Sequence, residues 1–189
     1  MTRLLTTEQY LQTPRPQLNW IVDQQLPYPG ILLIEGPPKV GKSFLAFDLL
    51  RCVSQGKPFL GWKTHKRTCL YLQFDTSELI WRQRLDKMKS SGLELSGDLY
   101  TVHPEDMILP FNISNLQHQH WLRNLVRDSN CDVFCIDVFR EIHNSDENDS
   151  TQMKIVGDIL VNIFKTKTLI LVHHSKKINE DYITHIDPS

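Results

Sequence analysis

Residues 36–43 read Gly-Pro-Pro-Lys-Val-Gly-Lys-Ser and match the pattern G-x-x-x-x-G-K-[ST] in full. No other stretch limits the fold as tightly. The apolar run ILLI at 31–34 leads into it, and an apolar-periodic segment starting at Ser43 leads out. The loop therefore has to join a buried strand to the N-terminus of a helix. There, backbone N–H groups point inward and bind phosphate oxygens. Pro37 and Pro38 carry no N–H, so the donors come mainly from Lys39, Val40, Gly41, Lys42 and Ser43. Gly41 lets the backbone approach a ligand closely. Lys42 supplies a point charge to the outer phosphates, and the Ser43 hydroxyl suits a magnesium ion. Gly36, Pro38 and Phe44 complete the segment expected to line a nucleotide site.

The rest of the chain repeats the strand–helix alternation. Short, branched or aromatic runs occur at 31–34, 69–74, 98–102, 133–138 and 168–172, and they read as strands buried on both faces. Helical patterns occupy 43–55, 76–91, 115–128 and 151–164. The first stops at Gly56 with Pro58 beyond, and the second stops at Gly92. Trp81, Leu85 and Met88 share one face of the second. Trp121, Leu122, Leu125 and Val126 make a stripe on the third, and Met153, Val156, Leu160 and Phe164 one on the fourth. The expected fold class is α/β, a mostly parallel sheet with helices on both faces. Residues 1–29, with prolines at 14, 16, 27 and 29, read as an irregular lead-in, 30–177 as the core and 178–189 as a tail.

With 189 residues there is chain enough for one domain with a sizeable core. Lys and Arg total 21 against 22 Asp and Glu, a net charge of −1, so the basic surplus common in nucleic-acid binders is absent. Any DNA contact has to be local or built by several subunits. No signal core and no run approaching a membrane span is present. The four cysteines, Cys52, Cys69, Cys131 and Cys135, lie in or beside apolar runs without zinc spacing. They read as buried thiols of a cytoplasmic protein, with Cys131 and Cys135 spaced to share one strand face.

Three further segments bear chemistry. In VFCIDVFREIH an apolar strand ends in Asp137, at the C-terminal sheet edge where open parallel sheets bind ligands. Asp137 there is expected to hold magnesium through water. In LYLQFDTSEL, Asp75 ends another strand and could orient an attacking water. Asp75 also stands three residues before Glu78, so a helix-capping pair accounts for it equally well. In LILVHHSKK, one of His173 and His174 has to face the nucleotide because side chains alternate. The other reading is a satisfied surface histidine. Lys176 and Lys177 are either phosphate contacts or a solvated pair.

The order and spacing of these segments resemble a RecA-type P-loop ATPase of the RepA-like group of hexameric replicative helicases, related to DnaB. The resemblance runs from about Trp20 to Lys177 and includes LNWIVDQQLPYPGILLIEGPPKVGKS, GKPFLGW and CLYLQFDTSELIWRQRL. It also takes in VFCIDVFREIHNSDENDSTQM and LILVHHSKK. It implies a RecA-like core that binds Mg-ATP between subunits of a homo-oligomeric ring and acts on single-stranded DNA. Lys42 and Ser43 match the Walker A pair, Asp137 the Walker B aspartate, and Asp75 the position of a catalytic glutamate. His173 and His174 match the segment coupling nucleotide state to DNA.

Two departures stand out. The carboxylate at Asp75 is shorter than glutamate by about 1.5 Å, and a ~1 Å misplacement can cost on the order of a hundredfold in rate. The segment INEDYITHIDPS, which ends at Ser189, has no arginine and is short for the later strands and DNA loops of such proteins. A fragment and a reduced natural protein are both compatible with this, and poor unwinding is expected of the chain by itself. The reading is an ATP-hydrolysing core. The alternatives are a nucleotide-binding regulator with little hydrolysis and, less well matched for want of a lid, a small-molecule kinase. The strand at 168–172 is expected between those at 31–34 and 133–138, leaving 31–34 at a sheet edge for the tail or a second subunit to cover.

Overall fold

A computed structural model describes residues 4–14 and 17–174. Lys176, Lys177 and the tail at 178–189 lie outside the described residues. Among the described residues the strands are β1 (Asn19–Val22), β2 (Leu26–Tyr28), β3 (Gly30–Gly36), β4 (Cys69–Gln73), β5 (Leu99–Val102), β6 (Val133–Asp137) and β7 (Thr168–His174). The helices are α1 (Thr7–Leu11), α2 (Lys42–Gln55), α3 (Glu78–Ser90), α4 (Leu116–Asp128) and α5 (Ser150–Ile163). Five strands form one parallel sheet in the order β3-β7-β6-β4-β5. The expected insertion of the last strand between the phosphate-loop strand and the Asp137 strand is what the structure has.

Side-chain alternation sorts the sheet into two cores. Cys69, Tyr71, Val133, Cys135, Ile170 and Val172 face α2 and pack with Ala46, Phe47, Leu49, Leu50 and Val53. Their neighbours Leu70, Leu72, Phe134, Ile136 and Leu169 face the other way, against Leu122 and Val126 of α4 and Val156 and Leu160 of α5. β4 and β6 are buried at every position, as their unbroken apolar runs require. Cys131 precedes β6 and falls in the second core, whereas Cys135 falls in the first. The two thiols therefore do not share a face, because the strand starts only at Val133.

Residues 19–28, expected to be irregular, make an antiparallel hairpin of β1 and β2. Ile21, Val22 and Leu26 insert from it into the α2 side of the core. The short apolar pieces WIV and QLPY are broken by Asp23 and Gln24, which hid the strand pattern. The hairpin is stitched to the sheet by the Tyr28 hydroxyl donating to Asp132 at 3.0 Å and by Thr168 donating to the Pro27 carbonyl at 3.3 Å.

Among the described residues β3 pairs on one side only, with β7. Leu32 and Ile34 pack against the α2 core, but Ile31 and Leu33, on the opposite face, are 51% and 50% exposed.

Under the sheet's C-terminal edge, Phe47 of α2, Tyr71 of β4 and Trp81 of α3 form one aromatic cluster. Phe47 meets Tyr71 and Trp81 edge-on with centroids 5.6 and 5.1 Å apart, and Tyr71 and Trp81 stack at 5.1 Å. This cluster fixes the rotation of α3. Trp81 is 1% exposed while Leu79, two residues earlier, is 68% exposed. Trp81→Ala is therefore expected to cost about 3–5 kcal/mol in urea unfolding, and Leu79→Ala to stay within about 0.5 kcal/mol. Equal costs would show that α3 is turned differently.

Candidate functional site

The phosphate loop leaves β3 at Gly36 and enters α2 at Lys42. Gly41 caps the helix with φ 93°, the left-handed region that glycine occupies at little cost. Lys39 has φ 67°, a conformation disfavoured for a side-chain-bearing residue. Backbone held this way turns successive N–H groups into one concavity, an anion-binding arrangement. The Lys42 ammonium donates to the carbonyls of Gly36 and Pro37 at 2.8 and 2.7 Å, which folds its stem along the loop. Burial lowers the Lys42 pKa, and the neighbouring Asp137 opposes that effect.

Alternation decides which strand residues reach the same place. Tyr71, Gln73, Asp137 and His174 have the parity of the α2-facing side chains, and Gln73 lies in register with Asp137. Pro38, Lys39, Gly41, Lys42, Ser43, Phe44, Asp75, Thr76, Arg84 and His174 line one cleft of about 380 Å³ at the sheet's C-terminal edge. Of the histidine pair, only His174 borders the cleft. His173 points to the other face, its ring edge-on to Phe139 at 5.6 Å and its Nδ1 3.9 Å from Glu147. Of the two, His174 is therefore the one placed beside the phosphate loop.

Asp137 lies behind the cleft at 1% exposure. The buried Tyr71 hydroxyl donates to its Oδ2. Its Oδ1 is buried without a hydrogen-bond partner. Burial raises the Asp137 pKa, and the charge of Asp75 adds to this. The hydrogen bond from Tyr71, the neighbouring Ser43 hydroxyl and the nearby His174 pull it back down. A buried, unshared carboxylate oxygen beside the Ser43 hydroxyl fits a hard, oxygen-seeking cation such as Mg2+. Among the described residues no three His, Cys, Asp or Glu side chains converge to hold a metal by themselves. Magnesium takes few protein ligands and relies on waters and substrate phosphates.

Asp75 does not cap α3. The cap position is Ser77, with no side-chain capping bond. The Asp75 carboxylate instead accepts from the Thr76 hydroxyl at 2.9 Å, and its N–H donates to Gln73 Oε1 at 3.2 Å. Glu78, the other half of the capping alternative, pairs with Arg82. Of the two readings open in the sequence, the cleft-facing carboxylate is the one that fits this geometry. Sequence reasoning missed Tyr71, Thr76 and Arg84. Tyr71 had a usable signal, since it lies two residues from Gln73 on a strand that has to run beside the Asp137 strand.

A family model described as an AAA domain matches residues 2–180. The chain belongs to this AAA domain family, AAA_25. No curated protein matches it. Among solved structures, a KaiC-like protein from the hyperthermophilic archaeon Pyrococcus horikoshii is 13% identical with a TM-score of 0.51. The match covers 86% of this chain and 73% of that one. The flagellar accessory protein FlaH from Methanocaldococcus jannaschii is 18% identical at a TM-score of 0.47, over 84% of this chain and 67% of its own. An ATP synthase subunit, NeqB, from Nanoarchaeum equitans is 14% identical at 0.48, over 84% and 42%. The first likeness supports the fold, a RecA-like α/β domain with a mostly parallel sheet. None of them bears on a helicase.

The raised Asp137 pKa has a measurable consequence. A folded-state pKa above the unfolded one means that this group's contribution to stability is full below the unfolded pKa. It is lost as pH rises through the folded pKa. Asp137→Asn removes the charge but keeps an acceptor for Tyr71. In metal-chelated buffer the variant is expected to melt a few degrees above the natural chain at pH 7, with the gap closing towards pH 4. A variant that melts lower at pH 7 would show that the ionised carboxylate is better satisfied than its surroundings indicate.

Proposed function

We propose that this chain binds Mg-ATP in the cleft above β3, β4, β6 and β7 and hydrolyses it, as the ATPase core of a RepA-like replicative helicase. The observation carrying the proposal is the convergence of the phosphate loop, Asp75 and His174 on one cleft, with Asp137 buried behind Ser43. The N–H groups of Lys39 to Ser43 and the Lys42 ammonium bind the phosphates. Ser43 and Asp137 would hold a magnesium ion, which would supply positive charge to neutralise the phosphates. Asp75 orients the attacking water and takes up its proton. His174, at the end of β7, contacts the outer phosphate side and responds to its loss.

Single-stranded DNA as a partner, a homo-oligomeric ring and a cytoplasmic location belong to the same proposal. The resemblance in motif order supports the first two, and the four buried free cysteines agree with a reducing compartment. Among the described residues no helix is long and apolar enough to cross a membrane. A nucleotide-binding regulator with little hydrolysis is the second reading. It is favoured by one observation, the short Asp75 carboxylate already engaged by Thr76.

Lys42→Ala is expected to abolish binding of a fluorescent ATP analogue, and unchanged affinity would refute the site. Steady-state hydrolysis separates the two readings. If the cleft hydrolyses ATP through Asp75, Asp75→Asn removes turnover, and Asp75→Glu raises it by about tenfold or more by restoring reach. A natural chain without measurable turnover, whether or not single-stranded DNA is present, decides for the regulator.

A further inference from the structure

The cleft contains a cation that the phosphate-loop motif does not supply. Arg84, on the second turn of α3, is half-buried and lines the cleft with Lys39, Lys42, Ser43, Asp75 and His174. Its guanidinium carbon lies 5.9 Å from the centre of the Phe44 ring, near the outer limit of a cation–π contact. Its Nη1 donates to the Thr76 hydroxyl at 3.5 Å, a long hydrogen bond. The same hydroxyl donates to Asp75, so Arg84, Thr76 and Asp75 form a short chain along one wall.

Arg84 lacks a counter-charge, as does Arg123 among the described arginines, but Arg123 is exposed on α4 and donates to Asn162 at 2.8 Å whereas Arg84 faces the cleft. Arg51, Arg67, Arg82, Arg127 and Arg140 each lie within 4.0 Å of a carboxylate. Arg84 has none at that distance among the described residues. Its helix neighbour Arg82 is exposed and paired with Glu78, one helical turn back. Arg84 points to the other side of α3, towards the phosphate loop. A half-buried guanidinium held by one weak bond and one ring face is incompletely satisfied, and its planar fork matches a phosphate group better than any group now touching it.

On the reading that the cleft binds ATP, the geometry points to Arg84 as a phosphate-binding residue supplied by the same chain, engaging the terminal phosphate of the nucleotide. The direction follows from its partners. Thr76 and Asp75 lie beyond the end of β4, beside the strand that carries Asp137, and on the same reading Asp75 faces the attacked phosphorus. A guanidinium anchored on Thr76 therefore approaches the outermost phosphate, where charge spreads during transfer. The inner phosphates are served by the loop N–H groups.

The test compares the two nucleotides on the full chain. Fluorescent non-hydrolysable ATP and ADP analogues are titrated in magnesium buffer against the natural chain and its Arg84→Gln, Arg84→Lys and Lys42→Ala variants. Arg84→Gln is expected to weaken the triphosphate by roughly tenfold or more and the diphosphate by no more than about twofold, which also shows the variant to be folded. Arg84→Lys should recover only part of the loss, because an ammonium lacks the planar fork. Equal weakening of both nucleotides, or none, overturns the assignment of Arg84 while leaving the nucleotide site standing. A natural chain that binds neither nucleotide, or a Lys42→Ala variant that binds both unchanged, overturns the ATP reading of the cleft and this inference with it.

Discussion

Burial of three parallel strands on both faces is the constraint from which the rest follows. β4, β6 and the greater part of β7 have no solvent side, so every residue on them has to suit one of two cores. Alternation then leaves no freedom in where the polar ends of these strands point. Gln73, Asp137 and His174 share the parity of Tyr71, Cys135 and Val172, which face α2. The helix that presents the phosphate loop and the strand ends that complete the site are thus brought together by packing alone. A slip of one residue in β6 would send Asp137 to the α4–α5 side and end the site.

The carboxylate of Asp137 is costly where it lies. It is buried, only one of its oxygens has a hydrogen-bond partner, and its surroundings favour the protonated form. The aromatic cluster offsets part of this indirectly. Phe47 and Trp81 clamp Tyr71, whose hydroxyl then has a fixed line to Asp137. Tyr71 belongs both to the hydrophobic core and to the site. A destabilising polar group retained at the C-terminal edge of a sheet, beside a phosphate loop, is what a site selected for ligand binding rather than for stability looks like.

Much of this was legible beforehand. Unbroken apolar runs announced strands buried on both faces, and the phosphate loop located the ligand end of the sheet. The strand order came from the family resemblance and not from any periodicity. What could not be read has physical causes. The hairpin at 19–28 is too short and too interrupted to show a period, and it is stable only because Ile21, Val22 and Leu26 find the α2 core. Asp75 sits where capping and cleft-lining chemistry require the same residue type, so only its actual bond to Thr76 separates them. Arg84 and Thr76 come together through the packing of α3, and nothing in a helix's own pattern tells which of its arginines turns towards a neighbouring element.

The strand order also governs the history of the molecule during synthesis. Among the described residues β3, made early, finds its sheet partner only in β7, made more than 130 residues later. Until β7 slides between β3 and β6, the phosphate-loop strand has no ladder, and β6 lacks one of its neighbours. Contacts of such sequence separation close slowly and leave apolar strand exposed in the interim. On a ribosome adding about 5–20 residues per second, the half-made domain spends roughly 7–26 seconds in that condition. Its chaperone demand and its losses to aggregation should therefore be set by how fast the last strand arrives.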